Sequence, residues 1–490
     1  MKQALVLLTL TALISGLLMA AQQPVIRRLD GSTITSAEID GTVKRLMAAA
    51  NVPGVDIAIF NNGKVVYLKS YGVRDKDKNL PLTEDSVMAA ASFTKVAFAY
   101  MVMQLVEKKI LDLDKPVYQY LPKPLPEYSA YKDLESDSRY KKITARMLLS
   151  HTSGFPNFRQ LNEDQKLNIN FEPGSRYAYS GEGINLLQFV VETITKKPVQ
   201  ELMQDYVFRP LGMTRSSLVW DSRFEDNWAL PYNEDGRSLG PPEKRAPADA
   251  AGSMVTTLRD FTLFIQAMIT SQGLQKETRE LMFSPQIQIL SKHQFPTLEP
   301  GTTEKNKPIR LSYGLGWGLY WTPYGKAFFK EGHLDGFQNY TVNFDDSKTG
   351  IIIMTNSSNG EGIFQELLET LIKNTYTPVA WEGFVSYDKR PPRKPPKEHK
   401  EIAIDPKLLD GYIGRYTASV GTLTITRDGS HLLVQEGDDP TKIEAFSESD
   451  RDFFAKSMEL SMTFEADSQG KATALVVHTG GGDIKLKRVE

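Results

Sequence analysis

The stretch that most restricts the fold is "YDKRPPRKPPKEHKE", residues 387–401. It is charged and proline-rich and has almost nothing to bury, so it reads as a semi-rigid linker rather than as part of a core. With 490 residues, the chain is also too long for one ordinary core, and two or more domains are expected. Texture changes across the linker. Beyond it, "TLTITRDG", "HLLVQEG", "MTFEADSQG" and "ALVVHTGGG" alternate apolar and polar residues and break at Gly or Asp. Short, evenly spaced strands of this kind suggest a small barrel or sandwich over 402–490.

Ahead of the linker, strands and helices mix. "GVDIAIF" (54–60) and "VVYLKSY" (65–71) flank Asn62-Gly63, a dipeptide suited to a tight hairpin turn. Helical patterns run from about Ser92 to Lys109, from Gly183 to Thr195 and over 258–269. Residues 111–122 are turn-rich, and strand-like runs follow at 315–321, 340–344 and 351–356. Strands at both ends with helices between predict an α+β domain over 22–386: an antiparallel sheet flanked by helices, with a helical insert.

The N-terminus, "MKQALVLLTLTALISGLLMAAQQ", has one cation at Lys2, an apolar stretch from Ala4 to about Leu18, and small residues at Ala20 and Ala21. That layout predicts a signal peptide over 1–21 and a periplasmic or secreted protein. A net charge of -2 and the lack of a basic stripe speak against nucleic acid as a partner. Without cysteines, disulfides and thiolate catalysis are excluded. The six histidines, at 151, 293, 333, 399, 431 and 478, show no metal-ligand spacing, so no metal is expected.

Chemistry concentrates where the apolar run "AAASFTKVAFAYMVMQLVEKKIL" (89–111) begins with Ser92 and Lys95. One explanation is a helix cap and a lysine that snorkels to water. The alternative is a nucleophile and its activator. Positions three apart share a helix face, Ser92 falls where free N–H groups favour negative charge, and desolvation of Lys95 would favour its neutral, basic form. The same spacing at Ser129/Lys132, Ser138/Lys141, Ser386/Lys389 and Ser468/Lys471 lies in hydrophilic segments that read as solvated surface. Two further stretches stand out: Tyr179 in "YAYSGEG", just ahead of a helix, and "EGHLDGF" (331–337), where His333 precedes a strand.

Taken in order, these stretches resemble the serine β-lactamase and penicillin-binding-protein superfamily, in its class C-like branch of esterases, D-aminopeptidases and carboxypeptidases. "SFTK" is similar to its Ser-x-x-Lys, "YSGEG" to its Tyr-x-Asn, and "GHLDGF" to its Lys-Thr-Gly or His-x-Gly strand. "ITARMLLSHTSGFP", "PADAAGSMVTTLRDF" and "YGLGW" add to the likeness, which covers about residues 38 to 375. Residues 402–490 resemble the lipocalin-like barrel appended to such hydrolases. Gly181 stands where the family usually has Asn, and "HLDG" is one residue longer than His-x-Gly, which leaves that strand's register open by one. A literal Lys348-Thr349-Gly350 reads instead as the polar tip of a hairpin.

The resemblance implies an acyl-enzyme on Ser92, with Lys95 and the Tyr179 phenol sharing the base role. It also implies oxyanion donors at Ser92 and at Gly336 or Phe337, with His333 and Gly181 in the substrate region. His151, in "SHTSG", is expected to shape a loop at the cleft rim. No cofactor is implied, and the substrate is a small molecule or peptide. The competing reading, kept open by Gly181, is a penicillin-binding-like module that binds peptidoglycan fragments or a partner with little turnover.

Overall fold

The computed structural model describes residues 25–489 apart from 163, 243, 246, 391–398, 419–420, 438–441, 457–459 and 480–481. The expected signal peptide and the middle of the linker therefore lie outside the described residues.

The first domain is built on a nine-stranded antiparallel sheet. Its strands are β1 (Gly54–Asn61), β2 (Lys64–Asp75), β3 (Leu80–Pro81), β4 (Ile287–Gln288), β5 (Ser312–Tyr313), β6 (Gly318–Thr322), β7 (Gly325–Leu334), β8 (Phe337–Phe344) and β9 (Thr349–Thr355). Their spatial order is β3-β2-β1-β9-β8-β7-β6-β5-β4. Chain ends thus meet in the middle, where β1 pairs with β9. The β1–β2 turn has positive φ at both Asn62 and Gly63, the left-handed geometry that suits a hairpin between twisted strands.

Both faces of the sheet are buried. Successive residues of a strand face opposite sides, so Ile57, Ile59, Phe329 and Ile351 pack toward α1 (Ser36–Ala50), while Ala58, Phe60, Phe328 and Ile352 pack toward α2 (Phe93–Glu107). Helix α2 is apolar all round and is enclosed on all sides, as such a helix must be. The insert between α2 and β4 contributes α3 (Gly181–Thr195) and α4 (Leu258–Thr270). After β9, α5 (Glu361–Leu371) joins α1 on the other face. The strand expected over 315–321 begins only at Gly318, as β6; between it and β5, Gly314 and Gly316 bring the chain against its neighbours. A Cβ at Gly316 would lie 2.5 Å from the Ala99 Cβ on α2.

After the linker, eight antiparallel strands between Gly414 and Arg488 close into a barrel, its first strand pairing with its last through Tyr416 and Arg488. A short helix, Pro406–Tyr412, leads in and buries Leu409 and Tyr412, with Tyr412 stacked on Phe464 at 4.4 Å.

Candidate active site

Ser92 sits at the N-terminus of α2 but makes no capping hydrogen bond with its side chain. Its Oγ instead accepts a bond from Lys95 Nζ at 3.0 Å. Lys95 does not reach water: it is 1% exposed, and its ammonium also donates to the Ala251 carbonyl at 2.5 Å. The residue before the serine, Ala91, holds φ +48, a left-handed backbone that costs a non-glycine residue about 1 kcal/mol or more and persists where surroundings impose it. Cap and snorkel are thus both replaced by a mutual contact at the start of a buried helix.

Tyr179 ends an extended segment, one residue before Ser180 caps α3 through its Oγ and the Gly183 N–H. It is 2% exposed, and the Lys95 ammonium lies 4.9 Å from its ring centroid. A second ammonium, Lys330, approaches the same ring at 4.9 Å. His151 packs against it with ring centroids 4.4 Å apart. Contrary to the rim expected for the 150–154 loop, His151 is fully buried, and its Nδ1 accepts the Ser180 N–H at 3.2 Å. Burial, then Lys95 and Lys330, push its pKa well below the ordinary histidine value, so it is a neutral imidazole against the tyrosine.

The third element differs from its expected form. His333 lies on β7 itself, not ahead of a strand, and its Nδ1 meets Glu361 of α5 at 2.6 Å. Its side chain is 54% exposed. The residue that joins Tyr179 is Lys330, three positions earlier. Strand parity explains why: an odd separation puts two side chains on opposite faces. Lys330 shares the α2-side parity of Phe328, whereas His333 shares that of Phe329 and turns toward α5. The Lys330-Glu331-Gly332 triplet on a strand was the available signal, and the more familiar His-containing triplet obscured it. Lys348-Thr349-Gly350 lies at the far end of the β8–β9 hairpin, roughly 20 Å away by strand rise.

Two expected oxyanion donors are engaged elsewhere. The Gly336 N–H donates to Ser358 Oγ at 2.8 Å, and the Phe337 ring is buried beside Trp228, while its backbone pairs with Leu334 to close the β7–β8 turn. Gly181 is likewise not open to a ligand. Its N–H donates to Asn157 Oδ1 at 3.1 Å, and a Cβ there would lie 2.8 Å from the Asn157 carbonyl oxygen. A bidentate Arg159–Glu182 ion pair holds that loop over the start of α3.

Buried charge continues behind the tyrosine. Lys330 donates to the Glu331 carbonyl at 2.9 Å and to the Glu331 carboxylate. Gln294 Nε2 donates to the same carboxylate at 2.9 Å. Burial alone would depress the Lys330 pKa, but Glu331 and the Tyr179 phenol outweigh it and hold it above the ordinary lysine value. Glu382 accepts a bond from Tyr340 Oη at 3.1 Å, and burial and the neighbouring Glu331 push its pKa well above the ordinary glutamate value. Among the described residues no group of three acidic or histidine side chains could hold a metal ion.

The chain is similar to known proteins in sequence and in fold. The chain is 22% identical over 463 residues to Penicillin-binding protein 4* of Bacillus subtilis (strain 168), covering 87% of this chain and 93% of that one. It is 22% identical to Protein flp of Staphylococcus aureus, where the match spans 65% of this chain and 62% of the relative's length. Among solved structures, the octameric penicillin-binding protein homologue from Pyrococcus abyssi matches with a TM-score of 0.56 and 20% identity, over 93% of this chain and all of that one. The D-alanine carboxypeptidase AmpC from Burkholderia cenocepacia matches with a TM-score of 0.53 and 20% identity, over 66% of this chain and 95% of that one. Residues 398–488 match a domain of unknown function (DUF3471). The profile of the Beta-lactamase family matches residues 39–372, and the chain belongs to that family.

Proposed function

We propose that the protein is an exported serine hydrolase that forms an acyl-enzyme on Ser92 and hydrolyses an ester, a D-amino-acid peptide or an amide. The observation that carries this reading is the 3.0 Å contact between Lys95 Nζ and an uncapped Ser92 Oγ beside Tyr179. In the forward step Ser92 Oγ bonds to the acyl carbon, and its proton passes to the Lys95–Tyr179 pair. That proton returns to the leaving group as the bond to it breaks, and water then repeats the sequence to release the acid. An oxyanion would be held by the Ser92 N–H and by the backbone at His333. Leu334 and Phe337 close a two-residue turn, so alternation along the ladder directs the His333 N–H away from β8. The edge it faces is open beyond the pairing of Gly318 with Phe329, and Gly332 there lies against the Ala90 carbonyl.

The decisive experiment is p-nitrophenyl acetate hydrolysis with Ser92→Ala as control, alongside intact-mass spectrometry after a fluorophosphonate and, separately, a penicillin. Ser92-dependent turnover and a single adduct on Ser92 are expected. Absence of any Ser92-dependent turnover of esters or D-amino-acid amides would favour the second reading, a penicillin-binding-like module that holds peptidoglycan fragments. The locked Gly181 amide is the feature that favours that alternative. Export is proposed on the Lys2–Ala21 segment, and the N-terminal mass of protein recovered outside the cytoplasm tests it.

A further inference from the structure

Lys330 is wholly withdrawn from water, yet its ammonium is not aimed at an open cleft. It is turned back onto its own neighbour, bonded to both the carbonyl and the carboxylate of Glu331. The carboxylate oxygen that meets Lys330 also accepts from Gln294, whose own backbone N–H is tied to the Trp381 carbonyl at 2.8 Å. We propose that Glu331 is a positioning residue that keeps Lys330 an ammonium beside the Tyr179 ring and thereby sets the pH range over which Ser92 is reactive. The proposal rests on Ser92 being the nucleophile.

The physical argument is one of charge balance. A lysine out of water gives up its proton unless an anion compensates. Around this ammonium, Lys95 of α2 lies at the same Tyr179 ring, and burial pushes the His151 pKa well below the ordinary histidine value. Burial and Glu331 push the Glu382 pKa well above the ordinary glutamate value, and its carboxyl is bonded to Tyr340 rather than to Lys330, while Glu361 and Asp335 act on His333. The compensating charge therefore falls to Glu331. Were Lys330 neutral, Tyr179 would keep one ammonium at its ring instead of two. Only an ionised phenol can accept the serine proton, and a cation at the ring favours that form, so the second ammonium extends reactivity to lower pH.

The test is the rate of fluorophosphonate labelling of Ser92, read by intact mass on the full chain across roughly pH 5 to 10, for Glu331→Gln, Lys330→Met and the double variant. Glu331→Gln is expected to move the midpoint of the labelling profile upward by about one pH unit or more and to slow labelling near neutrality about tenfold. Lys330→Met should shift it comparably, and the double variant no further than Lys330→Met, because Glu331 acts through Lys330. An unmoved or lowered midpoint in a folded Glu331→Gln protein, or additive effects in the double variant, overturns the proposal. Should Glu331→Gln alone fail to fold, the comparison of Lys330→Met with the double variant decides: equal midpoints support it and a further shift refutes it. Failure of the unmodified protein to label at Ser92 would instead remove the hydrolase reading on which the proposal stands.

Discussion

At the scale of single residues, Ser92 and Lys95 act as one unit. The serine gives up its cap, and the lysine donates to Ser92 and the Ala251 carbonyl instead of to water. Ser92→Ala and Lys95→Met should each lower kcat/KM for p-nitrophenyl acetate about a thousandfold or more, and the double variant should be little worse than either. Residues that act together in catalysis are strongly non-additive. Steady-state kinetics on the three proteins checks this. This pair was legible in the chain itself, because spacing along a helix and apolar flanks are local properties. His151 was not legible, because its burial against Tyr179 is decided by how a loop folds back.

At the scale of elements, the site depends on close approaches that only glycine permits. Strand β7 meets the segment leading into α2 at Gly332, where a Cβ would lie 2.6 Å from the Ala90 carbonyl oxygen. Since that neighbour is backbone, Gly332→Ala must push the strand away from Ser92. We expect at least a tenfold loss of kcat, as removing an aligned oxyanion donor costs about 3 kcal/mol, with a smaller change in thermal stability. At Gly181, restoring the asparagine typical of the family would drive its Cβ against the Asn157 carbonyl and the Phe158 ring. Gly181→Asn should therefore destabilise the fold by about 1–3 kcal/mol, measurable by denaturant melting, as overpacking does. The helices were readable from their periodicity, and α2, α3 and α4 fall within two residues of their expected ends. Lys330 was missed because strand parity in a long run cannot be assigned without knowing which residue pairs across the sheet.

At the scale of the whole molecule, the core of the barrel shares no residue with the two cores that flank the large sheet. Removal of residues 402–490 is accordingly expected to leave fluorophosphonate labelling of Ser92 within about twofold of the full chain, as independent cores allow. Global stability also carries a pH signature. Asp56, in the middle of β1, is fully buried, and burial raises its pKa well above the ordinary aspartate value. The folded state thus binds its proton more tightly than the unfolded state does. Stability from this group is present below the unfolded pKa and falls as pH rises above it. Asp56→Asn removes that dependence and should raise the melting temperature at pH 7.5 by a few degrees, with a smaller gain near pH 4. Scanning calorimetry at the two pH values separates the outcomes.

By itself the sequence determined the two-part division, the hairpin at Asn62-Gly63, the buried helix with Ser92 and Lys95, and the alternating strands of the C-terminal barrel. All of these follow from periodicity and turn chemistry within short windows. Tertiary structure alone decided that Lys330 and not His333 meets Tyr179, that Gly181 and Gly336 spend their amides internally, and that His151 is enclosed. Contacts among residues 95, 151, 179 and 330 are set by the packing of a strand, a loop and two helices. No local pattern encodes the face that a strand presents to such a distant neighbour.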